Sequence, residues 1–169
     1  RRWGQAVDDR PLRTGLRKWA AVALAPFWLA SVVVLLLGWH PGTYLALELG
    51  WALPPIALQL IFGADILWRY RRPVAIALAV PTLFLAAMDA VAISAGTWTI
   101  SPDQSLHFLI AGVLPLEEFI FFLITNTLIV FGITLLLAKE SQVRLAQVRA
   151  RWQSIVSGRK NDAVRRARR

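Results

Sequence analysis

Two adjacent glutamates, Glu117 and Glu118, stand inside an otherwise apolar run and are followed at once by Phe119-Ile120-Phe121-Phe122. Carboxylates are costly within a membrane and mark function by default. Neighbours on a helix point about 100° apart, so the pair addresses two different partners rather than chelating one point. Phe121 falls one turn below Glu117 and Phe122 one turn below Glu118, and Thr125 and Asn126 continue the same two faces. Away from water a carboxyl group favours its neutral form, so one acid can hold a proton while another, hydrogen-bonded, acts as a base. Aromatic faces beside such an acid stabilise a cation. Acid, base and rings in an apolar cavity suit the proton-initiated rearrangement of a lipophilic alkene.

Three further acids lie in or beside apolar runs: Glu48, Asp65 and Asp89. Glu48 follows Thr43 by about 8 Å of helix and Asp89 precedes Ala95 by about 9 Å, which sets both at one depth near the outer boundary. Glu117 and Glu118 reach a comparable level. For Glu48, outward snorkelling and a buried role both stand. For Asp89, a structural hydrogen bond to a neighbouring helix stands beside a functional one. Asp65, with Arg69 one turn away, reads as half of a surface ion pair.

The elements that must position these groups follow from hydropathy. The 169 residues are 57% hydrophobic yet carry a net charge of +9, a combination foreign to an ordinary soluble domain. Four apolar runs, Trp19 to Trp39, Tyr44 to Trp68, Pro73 to Ala95 and Leu106 to Ala138, predict an all-α polytopic bundle of four transmembrane helices. The second run carries Pro54, Pro55 and Gln59, which a lipid-facing helix would avoid, so it faces protein. The fourth is too long for one straight crossing. A proline bend at Pro115 is therefore expected, with Leu106 to Leu114 as an interfacial lead-in and the true span starting near Pro115.

All 19 Lys and Arg fall before Trp19, between Arg69 and Arg72, or after Ala138. Cytoplasmic loops are enriched in both, so a four-span chain has both termini inside, as in a bacterial cytoplasmic membrane. Three segments result: a basic N-terminal stretch over 1–18, the transmembrane domain over 19–138 and a basic tail over 139–169. The tail spaces Val143, Leu145, Val148, Trp152 and Ile155 among arginines, which suits a helix on anionic headgroups; a solvated basic tail is the blander reading. Long apolar runs argue against nucleic acid as the basic partner. The absence of cysteine excludes disulfides, thiolate zinc sites and a cysteine nucleophile, and two histidines leave little for a metal. The chain opens on arginine, which reads as a piece of a longer one.

The run Leu114-Pro115-Leu116-Glu117-Glu118-Phe119-Ile120-Phe121-Phe122, with Thr125-Asn126, resembles the signature of the lycopene cyclase domain family, small membrane carotenoid cyclases found as two-subunit or fused enzymes. Asp89, Ala92-Ile93, Gly96 and Trp98 resemble its preceding segment, and Trp51, Leu53-Pro54, Leu58-Gln59, Gly63 and Asp65 its second span. The resemblance implies ring closure at the ends of lycopene without net redox change. Glu117, Glu118 and Asp89 would be its acids and bases. Phe121, Phe122, Trp51, Trp98, Asn126 and Glu48 would line the substrate, with Pro115 and Pro54 structural. No strand-linked G-x-G-x-x-G is present, so no flavin or other cofactor is expected. Family enzymes have two related halves and this chain carries one glutamate signature. It therefore looks like the second half, with a complementary half upstream or on another subunit packing against the faces that carry Pro54, Asp89 and Glu117. Two other readings compete. A proton-coupled carrier or scaffold also explains buried acids. The membrane prenyl-protein metalloproteases resemble E-E-x-x-x-R, but Phe122 stands at the arginine position and no histidine follows His107.

Overall fold

The computed structural model describes residues 14–167, so most of the expected N-terminal basic segment, together with Arg168 and Arg169, lies outside the described residues. It separates into two units, one running to Leu135 and the other from Leu136. In the first unit, α1 (Thr14–Val22) and α2 (Ala25–Leu37) form one interrupted crossing. Pro26 occupies the first turn of α2, where a missing N–H costs least. Gly38 ends α2 in the left-handed conformation (φ 63°), its N–H returning to Leu35 O and the Trp39 N–H to Val34 O. A 3-10 turn, His40–Gly42, then leads into α3 (Thr43–Arg69), which is followed at once by α4 (Arg71–Ser94).

Among the described residues, four helical stretches are long and apolar enough to cross a bilayer: Gly15–Leu37, His40–Arg69, Arg71–Ser94 and Leu116–Leu137. The all-α, four-span reading therefore holds. The fourth span, however, is not a helix bent at Pro115. Residues ahead of it form a small antiparallel hairpin of β1 (Leu109–Ile110) and β2 (Leu114–Pro115), and α5 (Leu116–Leu137) starts only after the proline. Ala111 and Gly112, both at positive φ, make the turn, a geometry that matches the twist of a tight hairpin. Pro115 is buried opposite Leu109 and needs no ladder donor there, and the Leu116 N–H bonds Phe108 O at 2.9 Å.

Helix α3 is the hub: α1 and α2 lie along it, and Ala52 and Ile56 meet Ile124 of α5 in a buried cluster with Leu24, Leu60, Ile120, Leu128 and Phe131 around it. Its two prolines leave it continuous. Pro54 cannot donate to the Gly50 carbonyl four residues back, and the indole N–H of Trp28 on α2 takes that acceptor at 3.1 Å. Nearer its other end, Gly63 departs from helical geometry (φ −154°, ψ 32°). The Arg17 Nε donates to Ile61 O at 2.6 Å beside that distortion, and a Cβ at Gly63 would overlap the Leu135 side chain. Gln59 donates to Leu128 O at 3.0 Å and so ties α3 to α5. Asp65 is only 3% exposed, which corrects the surface position expected of it.

In the second unit, α6 (Lys139–Ala167) is a single helix with Val143, Leu145, Val148 and Trp152 exposed.

The proline-for-tryptophan exchange on α3 is testable. Trp28→Phe should lose about 0.5–1.5 kcal/mol by removing the indole donor from the Gly50 carbonyl, and most of that loss should vanish in a Pro54→Ala background, where an amide returns to position 54. Unfolding of the purified protein in mixed micelles measures the cycle. Equal losses in both backgrounds would mean that Trp28 acts through packing alone.

Candidate active site

The first turn of helix α5 holds Glu117 and Glu118. The unpaired N–H groups of a helix start carry partial positive charge, which favours carboxylates there by about 0.3–1 kcal/mol each. That is a structural reason for acids at these positions which hydropathy alone did not supply.

The two glutamates turn to different partners, as their angular separation requires. Glu117 is completely buried (0% exposed). Its Oε1 accepts from Ser105 Oγ at 3.0 Å and from the Leu106 N–H at 2.6 Å, both in the loop between α4 and the hairpin. The Ser105 hydroxyl in turn accepts from the His107 N–H at 3.3 Å, where His107 adopts a positive φ of 59°. Glu117 Oε2 is buried without a hydrogen-bond partner. Glu118 faces α3 instead, and its Oε1 accepts from the Tyr44 hydroxyl at 2.6 Å.

The common depth expected of the acids is realised as a cluster. Glu48 lies within electrostatic range of both Glu117 and Glu118, and Glu118 of Asp89. Glu48 (3% exposed) does not snorkel outward: both its oxygens are buried without a partner. Asp89 (4% exposed) leaves Oδ2 unpaired, and the Trp98 side chain is near enough to hydrogen-bond its carboxyl group. Asp89 and Glu117, two of the three residues on the faces expected to meet a complementary half, are buried within this chain. Pro54 alone of that trio is exposed.

One turn inside the glutamates, the Phe121 and Phe122 rings meet edge to face at 5.7 Å between centroids. Asn126 spans to α4, donating to the buried Thr82 hydroxyl at 3.0 Å, and so reads as an interhelical tie. Trp51 is half exposed on α3, and no hydrogen bond or ring contact ties it to the carboxylates among the described residues. No three His, Cys, Asp or Glu side chains among the described residues are arranged to hold one metal ion. Two grooves, of about 260 Å³ along Leu24, Trp28 and Pro54 and about 370 Å³ beside Arg17 and Ile61, are lined by none of the carboxylates.

Sequence reasoning missed Tyr44, Ser105 and Thr82. Tyr44 had a signal: it precedes Glu48 by four residues and so shares its helix face. Ser105 had none, because its place depends on how the loop folds back.

The chain is similar to the lycopene beta-cyclase of Halobacterium salinarum, with 36% identity over 154 residues, 89% of this chain and 61% of that protein. It is also similar to the bifunctional lycopene cyclase/phytoene synthases of Podospora anserina, 42% over 93 residues (54% of this chain, 16% of that protein), and of Phycomyces blakesleeanus, 41% over 93 residues (55% and 15%). This chain therefore spans under two thirds of the Halobacterium protein and a small part of the fungal ones. No protein-family model matches it, and no solved structure matches it at significance. The resemblance read from the glutamate signature is borne out by these relatives.

The loop clamp on Glu117 makes its own prediction. Ser105→Ala should destabilise the folded protein by about 1–3 kcal/mol, since it strips a donor from a buried carboxyl group, while Ser105→Thr should keep most of the stability. Thermal unfolding in detergent checks both, and an unaffected alanine variant would leave the Leu106 amide as the sufficient anchor.

Proposed function

We propose that this chain is the carboxylate-bearing part of a lycopene cyclase, acting on lycopene or a related linear carotenoid together with a complementary half. The observation that carries the reading is the set of carboxyl oxygens left without partners in a buried cluster, Glu117 Oε2, Asp89 Oδ2 and both of Glu48, in a chain similar to lycopene cyclases over 89% of its length. A buried acid with an uncommitted oxygen can give a proton to an alkene and a buried carboxylate can take one back. In the proposed reaction a carboxylic acid protonates the terminal double bond. The neighbouring alkene attacks the resulting tertiary cation and closes the ring, and a carboxylate removes a ring proton. One proton is added and one lost, so the rings form without oxidant or reductant.

Glu117 and Glu118 are the central acid–base pair in this reading, with Asp89 auxiliary and Glu48 beside them. Ser105 and Leu106 fix one oxygen of Glu117 and leave the other for the substrate. Phe121 and Phe122 supply ring faces for the cation one turn deeper. A substrate as apolar as lycopene reaches such a site from the bilayer.

The test is pigment analysis of lycopene-accumulating cells that express the chain with its complementary half. Glu117→Gln or Glu118→Gln should reduce ring formation by about 10²- to 10⁴-fold, and Phe121→Leu or Phe122→Leu by about thirtyfold, with protein still in the membrane. The chain without its complement should cyclise poorly. Undiminished rings from the double glutamine variant would overturn the acid–base assignment.

Both termini face the cytoplasm in the proposed orientation, and α6 lies on anionic headgroups, its arginines at the phosphates and its exposed Leu145, Val148 and Trp152 towards the acyl chains. The chain has no native cysteine, so single-cysteine labelling reads the orientation directly. Cysteine at Gln104 should react with an impermeant reagent added to intact cells, and cysteine at Gln147 only after lysis. Reversed labelling would overturn the orientation.

A further inference from the structure

Resting on the cyclase reading, we infer that Tyr44 is the positioning residue that fixes Glu118 for proton transfer. Its phenol reaches from the first turn of α3 to the first turn of α5, 74 residues away in sequence, and donates to Glu118 Oε1 at 2.6 Å. That is a short hydrogen bond for an O–H donor, in the range typical of a carboxylate acceptor. A glutamate at a helix start has three side-chain torsions and two competing attractions, the helix amides behind it and the polar interface outside. The Tyr44 hydroxyl holds one oxygen of the carboxyl group, with Glu48 and Asp89 within electrostatic range of the same phenol.

Tyr44 is itself held in place by local structure. The turn His40–Gly42 launches α3, Thr43 anchors it through Oγ1 to Trp39 O at 3.3 Å, and Gly42 packs so closely on the Trp39 ring that a Cβ there would meet ring carbons. The tie between α3 and α5 does not hang on the phenol. Gln59 bonds Leu128 O, and Ala52 and Ile56 pack on Ile124, further along the same two helices. Removing the hydroxyl therefore frees Glu118 without separating the helices. Misplacing a reacting group by about 1 Å costs on the order of 10²-fold, so the phenol acts on rate through Glu118 while touching no substrate atom.

The experiment uses the full chain with its complementary half in membranes, with lycopene as substrate and Tyr44→Phe as the variant. The kcat should fall about tenfold or more, the equivalent of one hydrogen bond to a charged group, while KM for lycopene stays unchanged. Infrared spectra of protein labelled with ¹³C-glutamate should show a carboxyl band displaced by Tyr44→Phe, and no such displacement in a Glu118→Gln background. Unchanged kcat with a displaced band would overturn the positioning role, and an unmoved band would overturn the contact. If wild-type protein makes no rings, the cyclase reading fails and takes this one with it; active wild type with an equally active Tyr44→Phe defeats this inference alone.

Discussion

Inside a bilayer no water is available to satisfy a polar group, so each must find its partner within the protein. Most of what is irregular here answers that constraint. Pro54 takes a donor away from α3 and Trp28 supplies one from α2. Beside the distortion at Gly63, Arg17 meets the Ile61 carbonyl. Gln59 and Asn126 spend their amide hydrogens on Leu128 and Thr82. Such interhelical hydrogen bonds matter because lipid tails are as apolar as the side chains, so hydrophobic attraction between helices in a membrane is weak.

Against that background the carboxylate cluster stands out by what it leaves undone. Glu117 satisfies one oxygen twice and the other not at all, and Glu48 satisfies neither. Among the described residues, four of the buried side-chain atoms without partners lie on these carboxylates, and the others are Gln59 Oε1 and Ser141 Oγ. The cost is offset in part by the start of α5, whose amide dipoles face the glutamates. Such a site is fixed at its edges by hydrogen bonds and keeps its unpaired carboxyl oxygens buried at its centre.

The loop between α4 and α5 is the part most easily underrated from sequence. A hydropathy profile sees one long apolar run from Leu106 to Ala138 and asks for a bent helix. The chain instead turns a hairpin through Ala111 and Gly112, both at positive φ, a conformation that glycine adopts at no steric cost, and α5 starts only after Pro115. That hairpin brings Ser105 and Leu106 over Glu117, so the same feature that ends the helix also builds the clamp.

What the sequence determined by itself was the inventory and its depth. Apolar runs and basic linkers set four spans, helix rise placed Glu48, Asp89, Glu117 and Glu118 at one level, and the 100° step sent the two glutamates to different neighbours. The glutamate signature named the relatives. What only the tertiary structure decided was who meets whom. Tyr44 reaches Glu118, Ser105 reaches Glu117, Asp65 is buried rather than at the surface, and Pro115 precedes a helix rather than bending one. The physical reason is that hydropathy and periodicity are local quantities, fixed by neighbours within a few turns. A hydrogen bond between helix starts 74 residues apart depends on how each helix is rotated about its axis, and that rotation is set by the packing of Ala52, Ile56 and Ile124 rather than by any local pattern.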